Sequence, residues 1–243
     1  MKKNRSLVSL VGAGPGDPEL ISVKGLKALK KADCVLYDFL SASELLKYCK
    51  RGCEKICVGK KDGLHLKEQK VINEMLYAKS KEYPNVVRLK GGDPFIFSRG
   101  IDEARYLSER GIRFEVIPGI TSALSGPESA GIPLTIKNKI SSVAILTGRK
   151  KDINAEIDAP VCQTLVYLMG VSNIANIVKA LRKSGRKENE PCAFIENATR
   201  KEQRIIYGTI KTIEKKVFQY NIKSPAIFIL GDVVRRRVRL NDE

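Results

Sequence analysis

The chain of 243 residues contains no tryptophan and a single histidine. No apolar run approaches the roughly 18 residues that a membrane-spanning helix requires. A Gly-x-Ser-x-Gly elbow, a Walker loop and zinc-ligand spacing are also missing from the sequence. Hydrolase, kinase and metalloprotease chemistry therefore lack their usual residues.

The amino-terminal residues give little support to secretion. Met1–Ser6 is basic, as in a signal peptide, but the apolar stretch that follows is interrupted by Gly12, Gly14 and Pro15. The chain has six cysteines, and in the absence of a signal peptide these are typical of reduced thiols. We therefore expect a soluble, cytoplasmic protein.

Three of the cysteines recur every four residues, at Cys49, Cys53 and Cys57. On one helix they would share a face, which would be compatible with a metal site. Gly52 argues against such a helix, and Glu54–Val58 has the composition of a strand. We expect no bound metal.

Basic residues outnumber acidic residues by 44 to 27, which gives a formal net charge of +17. Such a charge attracts anions, whether nucleic acid, a membrane surface or a polycarboxylate. The basic residues are spread along the chain, so charge alone does not choose among these partners.

Short β-rich runs alternate with helical patterns through the first half of the chain, which predicts βαβ units and a mainly parallel sheet. The predicted strands are Leu7–Val11, Cys34–Tyr37, Lys55–Val58, Val86–Leu89 and Phe114–Ile117. The predicted helices are Glu19–Lys31, Lys67–Lys81 and Gly100–Glu109.

A polar stretch at Thr135–Ser142 precedes a second set of apolar runs. These predict the strands Val143–Thr147, Thr164–Leu168, Cys192–Ile195, Arg204–Tyr207 and Ala226–Leu230, with helices near Asn173–Ser184 and Lys211–Phe218. Two connections are short, which favours antiparallel pairing. The fold class is therefore α/β, with two α/β domains at residues 1–138 and 139–243, the second with a mixed sheet.

Each predicted strand of the first half runs into a small, polar or charged cluster. The clusters are Gly12–Asp17, Asp38, Gly59–Lys61, Lys90–Pro94 and Pro118–Ser122. Ligands of open α/β sheets bind beyond the carboxyl ends of the strands, so the five clusters can converge on one crevice.

The glycines of the first cluster allow a ligand to approach the backbone closely, which suits a nucleoside. Pro15 removes an amide hydrogen where a phosphate-binding turn would need it, so a pyrophosphate cofactor is disfavoured. A purely structural tight turn is the alternative interpretation.

Charged residues at these strand ends have two interpretations each. Asp38 and Asp93 can accept a proton or hold a ribose hydroxyl, or they can cap a helix or form a turn. Lys60 and Lys61 can meet an anionic substrate or act as an acid, or they can simply be solvated.

Several motifs together resemble those of uroporphyrinogen-III C-methyltransferases, and the resemblance spans nearly the whole chain. Leu89–Phe95, Leu-Lys-Gly-Gly-Asp-Pro-Phe, is the most discriminating of them. The others are Val11–Leu20, Val35–Asp38, Val58–Lys60, Val87–Arg88, Val116–Ser122, Ala130–Thr135, Thr147–Gly148, Tyr167–Gly170 and Glu196–Thr199.

The resemblance implies a tetrapyrrole methylase fold and S-adenosylmethionine-dependent methylation of uroporphyrinogen III at C2 and C7. The products would be precorrin-2, for siroheme and cobalamin biosynthesis, and S-adenosylhomocysteine. It also implies a homodimer, with the cofactor in the cleft between the two domains of each chain. The chain lacks the additional modules of fused siroheme synthases, so methylation alone is expected.

The resemblance also assigns site residues by matching motifs. Asp38 would be the proton acceptor and Lys60 the proton donor. The cofactor would contact Pro15, Gly91, Gly92, Asp93, Ile96, Thr121, Ser122, Met169 and Ala198. The eight substrate carboxylates would meet the net positive charge, with Arg88, Lys90, Arg99 and the Lys60–Lys61 pair as candidate contacts.

A few positions differ from the usual pattern of these enzymes. Phe39 and Lys61 stand where arginine is common, Ser98 replaces a glycine, and Arg149 replaces a histidine. Lysine cannot reproduce the bidentate fork of arginine, so these positions bear on how the carboxylates are bound.

Two other functions are compatible with the basic composition. One is an RNA methyltransferase of similar fold, against which Leu89–Phe95 argues. The other is a non-catalytic RNA-binding protein, against which the low aromatic content of 6% argues, because RNA-binding sheets use spaced aromatic residues for stacking. We therefore expect neither nucleic acid nor membrane as a partner.

Overall fold

The computed structural model describes residues 6–38, 44–59, 68–150 and 156–240. The chain divides into two compact units, Met1–Thr121 and Ser122–Glu243. The polar stretch that suggested a boundary after residue 138 lies within the second unit.

The first unit contains a five-stranded sheet in which every described strand is parallel to its neighbours. The strand order is β3-β2-β4-β1-β5, with β4 in the centre. The strands are β1 (Leu7–Gly12), β2 (Cys34–Tyr37), β3 (Glu54–Cys57), β4 (Asn85–Lys90) and β5 (Phe114–Ile117). The predicted strands and the parallel arrangement are confirmed.

Helices cover both faces of this sheet. They are α1 (Val23–Lys31), α2 (Gln69–Glu82) and α3 (Gly100–Ser108), with 3-10 turns at Pro18–Leu20 and Leu45–Tyr48. Alternate residues of β4 separate the two faces: Val86 packs in the cluster that includes α2 and α3, whereas Val87 packs with α1. Both faces of the strands are therefore buried, as expected for a parallel sheet.

The first helix begins later than the sequence pattern predicts. Ile21 and Ser22 are extended, and the Ser22 side chain accepts a hydrogen bond from the Gly25 amide at 3.1 Å. This N-cap starts the α-helix at Val23, so the predicted helix Glu19–Lys31 is a 3-10 turn followed by a separate α-helix.

The second unit contains a mixed five-stranded sheet of order β6-β7-β10-β8-β9. Among its described strands β6 and β7 pair in parallel, and the remaining pairs are antiparallel. The strands are β6 (Val143–Thr147), β7 (Thr164–Leu168), β8 (Pro191–Glu196), β9 (Arg204–Thr209) and β10 (Ala226–Leu230). The predicted mixed sheet is confirmed.

The helices of the second unit include one that the sequence pattern did not predict. They are α4 (Ser122–Ser129), α5 (Ile174–Lys183) and α6 (Ile210–Gln219), with 3-10 turns at Val171–Asn173 and Asp232–Arg236. The unpredicted helix is α4, which is short, contains Pro127 and has little apolar periodicity. Its small residues allow close packing, since a Cβ added at Gly126 would lie 2.3 Å from Ile227 Cδ1.

Across the described residues, no helix is both long and apolar enough to cross a membrane. Within that same part of the chain no group of three potential metal-ligating side chains is found. The six cysteines are unpaired thiols, and Glu54–Cys57 forms a strand as the sequence predicts.

Candidate functional site

The loops after β1, β4 and β5 are joined at the carboxyl edge of the parallel sheet. The Ala13 amide donates to the Lys90 carbonyl at 2.7 Å. Gly14 and Gly92 exchange two backbone hydrogen bonds, at 2.8 and 3.2 Å. Three of the five predicted polar clusters therefore meet at one edge.

This meeting depends on glycines that leave no room for a side chain. A Cβ at Gly119 would lie 2.3 Å from the Gly92 carbonyl oxygen and 2.6 Å from Gly12 Cα. These are backbone atoms, which cannot move aside as a flexible side chain can. A structural role is therefore the correct interpretation for Gly12, where a side chain would clash with backbone atoms. Gly14 adopts a φ of 81°, a left-handed conformation that favours glycine.

Asp93 ties two of these loops together. One carboxylate oxygen accepts from the Phe95 amide at 2.8 Å, and the other accepts from the Gly119 amide at 3.1 Å. The turn-forming interpretation of Asp93 is therefore correct. Each oxygen retains acceptor capacity, so this role is compatible with a ligand contact as well.

The remaining cofactor candidates of the first unit lie on the same joined loops. Pro15 is half-buried in the turn after β1, Gly91 and Gly92 follow β4, and Thr121 is buried after β5. A Cβ added at Gly92 would meet only Thr121 Cα, at 3.8 Å. The backbone at Gly92 is thus open to the approach of a flat ligand.

Apolar side chains are exposed beside this open backbone. Phe95, Ile96 and Phe97 are between 37% and 50% exposed, and Phe97 has a φ of 51°. An open glycine backbone next to exposed apolar groups fits a nucleoside, whose base is flat and has apolar faces.

Three cofactor candidates belong to the second unit. Met169 follows β7, is 43% exposed and has a φ of 56°. Ala198 is buried just after β8, and Ser122 begins α4. Because β7 and β8 both pair antiparallel with β10, Met169 and Ala198 lie at the same edge of the mixed sheet.

Asp38 directly follows β2 at the carboxyl edge of the parallel sheet. Its amide donates to the Leu89 carbonyl at 3.3 Å, and its side chain is 35% exposed. One carboxylate oxygen accepts from Arg88 Nη2 at 2.8 Å. The side chain is therefore fixed on one side and open to solvent on the other. Lys60, its predicted partner in proton transfer, lies outside the described residues, as do Phe39 and Lys61.

Arg88 belongs to a buried group of charged side chains on the central strand β4. Arg88 Nε and Lys90 Nζ both donate to Glu103 Oε1, at 3.0 and 2.9 Å. All three residues are at most 2% exposed. Gln69 Nε2 also donates to this oxygen, at 3.3 Å. We refer to Asp38, Arg88, Lys90 and Glu103 as the charged cluster.

The surroundings of the charged cluster shift the pKa of its two cations in opposite directions. Burial, with the nearby Arg88 charge, lowers the pKa of Lys90 despite the attraction of Glu103. Burial also disfavours the charge of Arg88, but Glu103 and Asp38 outweigh it and raise the Arg88 pKa. Two cations and two carboxylates leave the cluster formally neutral.

The burial of Arg88 and Lys90 corrects the prediction that they bind substrate carboxylates. Their charges are already paired inside the unit, so they have no exposed face to offer. Arg99 has a mostly exposed side chain and pairs with Asp102 at 2.9 Å. It therefore remains available to an anion at the surface.

Glu103 is the member of the site that sequence reasoning did not find. A signal for it exists, because the observed strand β4 extends to Lys90, one residue beyond the predicted strand Val86–Leu89, so Arg88 and Lys90 face the same side. Buried cations need anions, so an acidic residue on a covering helix was to be expected. Its position within α3 could not be deduced without the packing.

Two positions that differ from the usual motif have local roles. Ser98 Oγ donates to the Pro94 carbonyl and closes the loop that leads into α3. The Arg149 amide donates to Thr147 Oγ1 at 3.2 Å, and the residue is exposed.

A family model for tetrapyrrole (corrin/porphyrin) methylases matches residues 7–214. This chain therefore belongs to the tetrapyrrole methylase family. The uroporphyrinogen-III C-methyltransferase of Methanocaldococcus jannaschii is 47% identical over 232 residues, covering 93% of this chain and 96% of that protein. A uroporphyrinogen-III C-methyltransferase of Bacillus subtilis is 42% identical over 238 residues, covering 96% and 93%.

One solved structure is similar to this chain in both fold and sequence. It is the uroporphyrin-III C-methyltransferase of Thermus thermophilus complexed with S-adenosylhomocysteine, with a TM-score of 0.81 and 36% identity. The match covers 95% of this chain and 100% of that one.

Proposed function

We propose that this protein transfers methyl groups from S-adenosylmethionine to C2 and C7 of uroporphyrinogen III. The products are precorrin-2, which leads to siroheme and cobalamin, and S-adenosylhomocysteine. The observation that carries the proposal is the near full-length similarity to uroporphyrinogen-III C-methyltransferases. The discriminating motif Leu89–Phe95 lies in the joined loops of the carboxyl edge, where a ligand of an α/β sheet is expected.

Cofactor binding is assigned to residues of both units. In the first unit they are Pro15, Gly91, Gly92, Asp93, Ile96 and Thr121, and in the second Ser122, Met169 and Ala198. The open backbone at Gly92 and the exposed apolar side chain of Ile96 support this assignment. When bound, S-adenosylmethionine supplies a methyl group on a positively charged sulfur.

The proton chemistry is assigned to Asp38 and Lys60. C2 and C7 already carry a side chain and no hydrogen, so methylation gives a cationic intermediate that becomes neutral by losing a proton from another carbon or nitrogen of the tetrapyrrole. A nearby carboxylate can accept that proton. Asp38 has an exposed carboxylate at the sheet edge and a fixed orientation, which suits a proton acceptor. Lys60 is proposed as the proton donor. The enzyme otherwise contributes mainly alignment of the two reactants.

Anaerobic incubation with uroporphyrinogen III and S-adenosylmethionine tests the reaction. We expect the product mass to rise by two methyl groups, with two equivalents of S-adenosylhomocysteine formed. Cofactor binding without any change in the tetrapyrrole mass would show that the substrate is wrongly assigned.

Replacement of Asp38 tests its role. Asp38→Asn keeps the size of the side chain and should bind S-adenosylhomocysteine normally, yet turn over about 100-fold more slowly, because an amide accepts a proton poorly. Binding is measured by calorimetry and turnover by product mass. Arg182→Met is a suitable control, since Arg182 forms a surface pair with Glu188 at 2.6 Å in the second unit. Unimpaired turnover of Asp38→Asn would remove this residue as the base.

We further propose that the protein is a cytoplasmic homodimer that uses no nucleic acid or membrane partner. The resemblance to the methyltransferases supports the dimer, and six unpaired thiols are compatible with a reducing compartment. Light scattering measures the mass in solution, and RNA titration at several salt concentrations tests for nucleic-acid binding.

A further inference from the structure

In the charged cluster one side chain, that of Arg88, contacts both the buried carboxylate of Glu103 and the partly exposed carboxylate of Asp38. Arg88 is 2% exposed and reaches Glu103 with Nε at 3.0 Å and Asp38 with Nη2 at 2.8 Å. Its Nη1 also donates to the Leu89 carbonyl at 3.1 Å. The guanidinium is thus held by the fold, and Asp38 is held by the guanidinium.

Glu103 holds Arg88 in this orientation from the opposite side. It lies on α3, is fully buried, and accepts with one oxygen from Arg88, Lys90 and Gln69. Gln69 in turn donates to Asn73 on the same helix, α2, at 2.9 Å. Two helices and the central strand therefore converge on the atoms that orient the guanidinium.

We propose that Arg88 is the positioning residue for Asp38, and that Glu103 fixes Arg88 so that the Asp38 carboxylate is held at the carboxyl edge of the sheet. The inference rests on the proposed function of Asp38 as proton acceptor. Arg88 itself does not touch the substrate, since its side chain is buried. Its contribution is to hold the Asp38 carboxylate in one orientation, ready to accept a proton.

Two substitutions separate geometry from charge. Arg88→Met removes the donor to Asp38 but leaves the buried Lys90–Glu103 pair in place. Arg88→Lys keeps a positive charge, but one ammonium cannot reproduce the two-sided hold of the guanidinium. Arg182→Met and Arg182→Lys are matched controls on the surface Arg–Glu pair of the second unit.

For Arg88→Met we expect kcat to fall by about 10- to 100-fold, with KM for the tetrapyrrole and the affinity for S-adenosylhomocysteine unchanged. In Arg88→Lys kcat should remain low, because one ammonium cannot hold Asp38 and Glu103 together as the guanidinium does. The Arg182 controls should match the unsubstituted protein in all these respects.

A purely structural role of Arg88 predicts something different. It would lower the midpoint of thermal unfolding and the amount of active protein, but kcat per folded active site would stay unchanged. An unchanged kcat in folded Arg88→Met, or full recovery of kcat in Arg88→Lys, would therefore overturn the proposal.

A measurement without turnover keeps this inference separate from the proposed function. In carbon-13 spectra of the full chain labelled at Asp carboxyls, the Asp38 signal is assigned by its loss in Asp38→Asn. We expect the chemical shift of this signal to change in Arg88→Met and to stay displaced in Arg88→Lys, because both lose the hydrogen bond from Nη2. An unchanged signal would overturn the role of Arg88, whereas methyl transfer failing in the unsubstituted protein would overturn only the proposed substrate.

Discussion

The central strands of the two sheets differ in what they bury. In the first unit, β4 carries Arg88 and Lys90 into the interior, where they meet Glu103. In the second unit, β10 is also central, and its five residues Ala226–Leu230 are buried and apolar. A described ion pair of the second sheet, Arg204 with Glu196, lies instead where Arg204 is half exposed.

This difference shows that burial of charge in the first unit is not a requirement of the α/β architecture. A central strand can be filled with apolar side chains, which avoids the desolvation cost of buried ions. The first unit nevertheless keeps a charged cluster that ends at Asp38, on the edge where ligands are expected. The comparison therefore associates the buried charge with chemistry at the edge.

The largest expected effect is the loss of stability when Glu103, the anion shared by the buried cations of the first unit, is replaced. Glu103→Leu leaves Arg88 and Lys90 buried without their shared anion, which should lower the free energy of unfolding by about 3–5 kcal/mol. The corresponding change at a surface pair of the second unit, Glu188→Leu, should cost at most about 1 kcal/mol, because Glu188 and its partner Arg182 are both about half exposed. Urea unfolding curves of both variants give the two values, and equal losses would contradict the comparison.

A second expected effect concerns the glycines at the two sheet edges. Gly119→Ala would place a Cβ among backbone atoms of Gly92 and Gly12, and should lower the free energy of unfolding by about 3 kcal/mol. In the second unit, Gly148→Ala meets backbone only at Gly170, and its other close contact is the flexible end of Ile177. About 1–2 kcal/mol is expected there. Thermal unfolding of the two variants measures the difference, and a larger loss for Gly148→Ala would reverse it.

The smallest expected effect is a pH dependence that the two units should share. Burial raises the pKa of the Cys34 thiol from 9.0 to about 12, with Glu54 as a further cause. The unfolded chain therefore loses this proton before the folded protein does. The stabilisation that the neutral thiol gives is complete below pH 9.0 and is lost as the pH rises to about 12.

Cys34→Ala and Cys192→Ala test this pH dependence in the two units. Burial also raises the pKa of Cys192, so both variants should lose less stability than the unsubstituted protein between neutral pH and about pH 10, by about 1 kcal/mol. Urea midpoints at the two pH values give the difference, and subtraction cancels other groups that titrate. An unchanged pH dependence in Cys34→Ala would show that its thiol does not contribute.

The sequence was sufficient for most of the architecture. The strands could be predicted because apolar runs such as Val143–Thr147 and Ala226–Leu230 are bounded by polar or turn residues. The start of α1 was misplaced, since the Ser22 cap competes with a helical pattern that already begins at Glu19. Helix α4 was missed because its burial comes from small residues packing against the sheet, which leave no periodic signal.

Some residues of the site could be predicted from their local sequence, whereas the role of others depends on long-range packing. The glycines, Asp38 and Asp93 could be selected from the sequence because they directly follow strands, and parallel strands bring their carboxyl ends to one edge. Whether Arg88 and Lys90 face a substrate or the interior was decided only by the tertiary structure. Glu103 comes from a helix that packs over the central strand, and long-range packing of this kind converts two apparent ligand-binding cations into the buried support of one carboxylate.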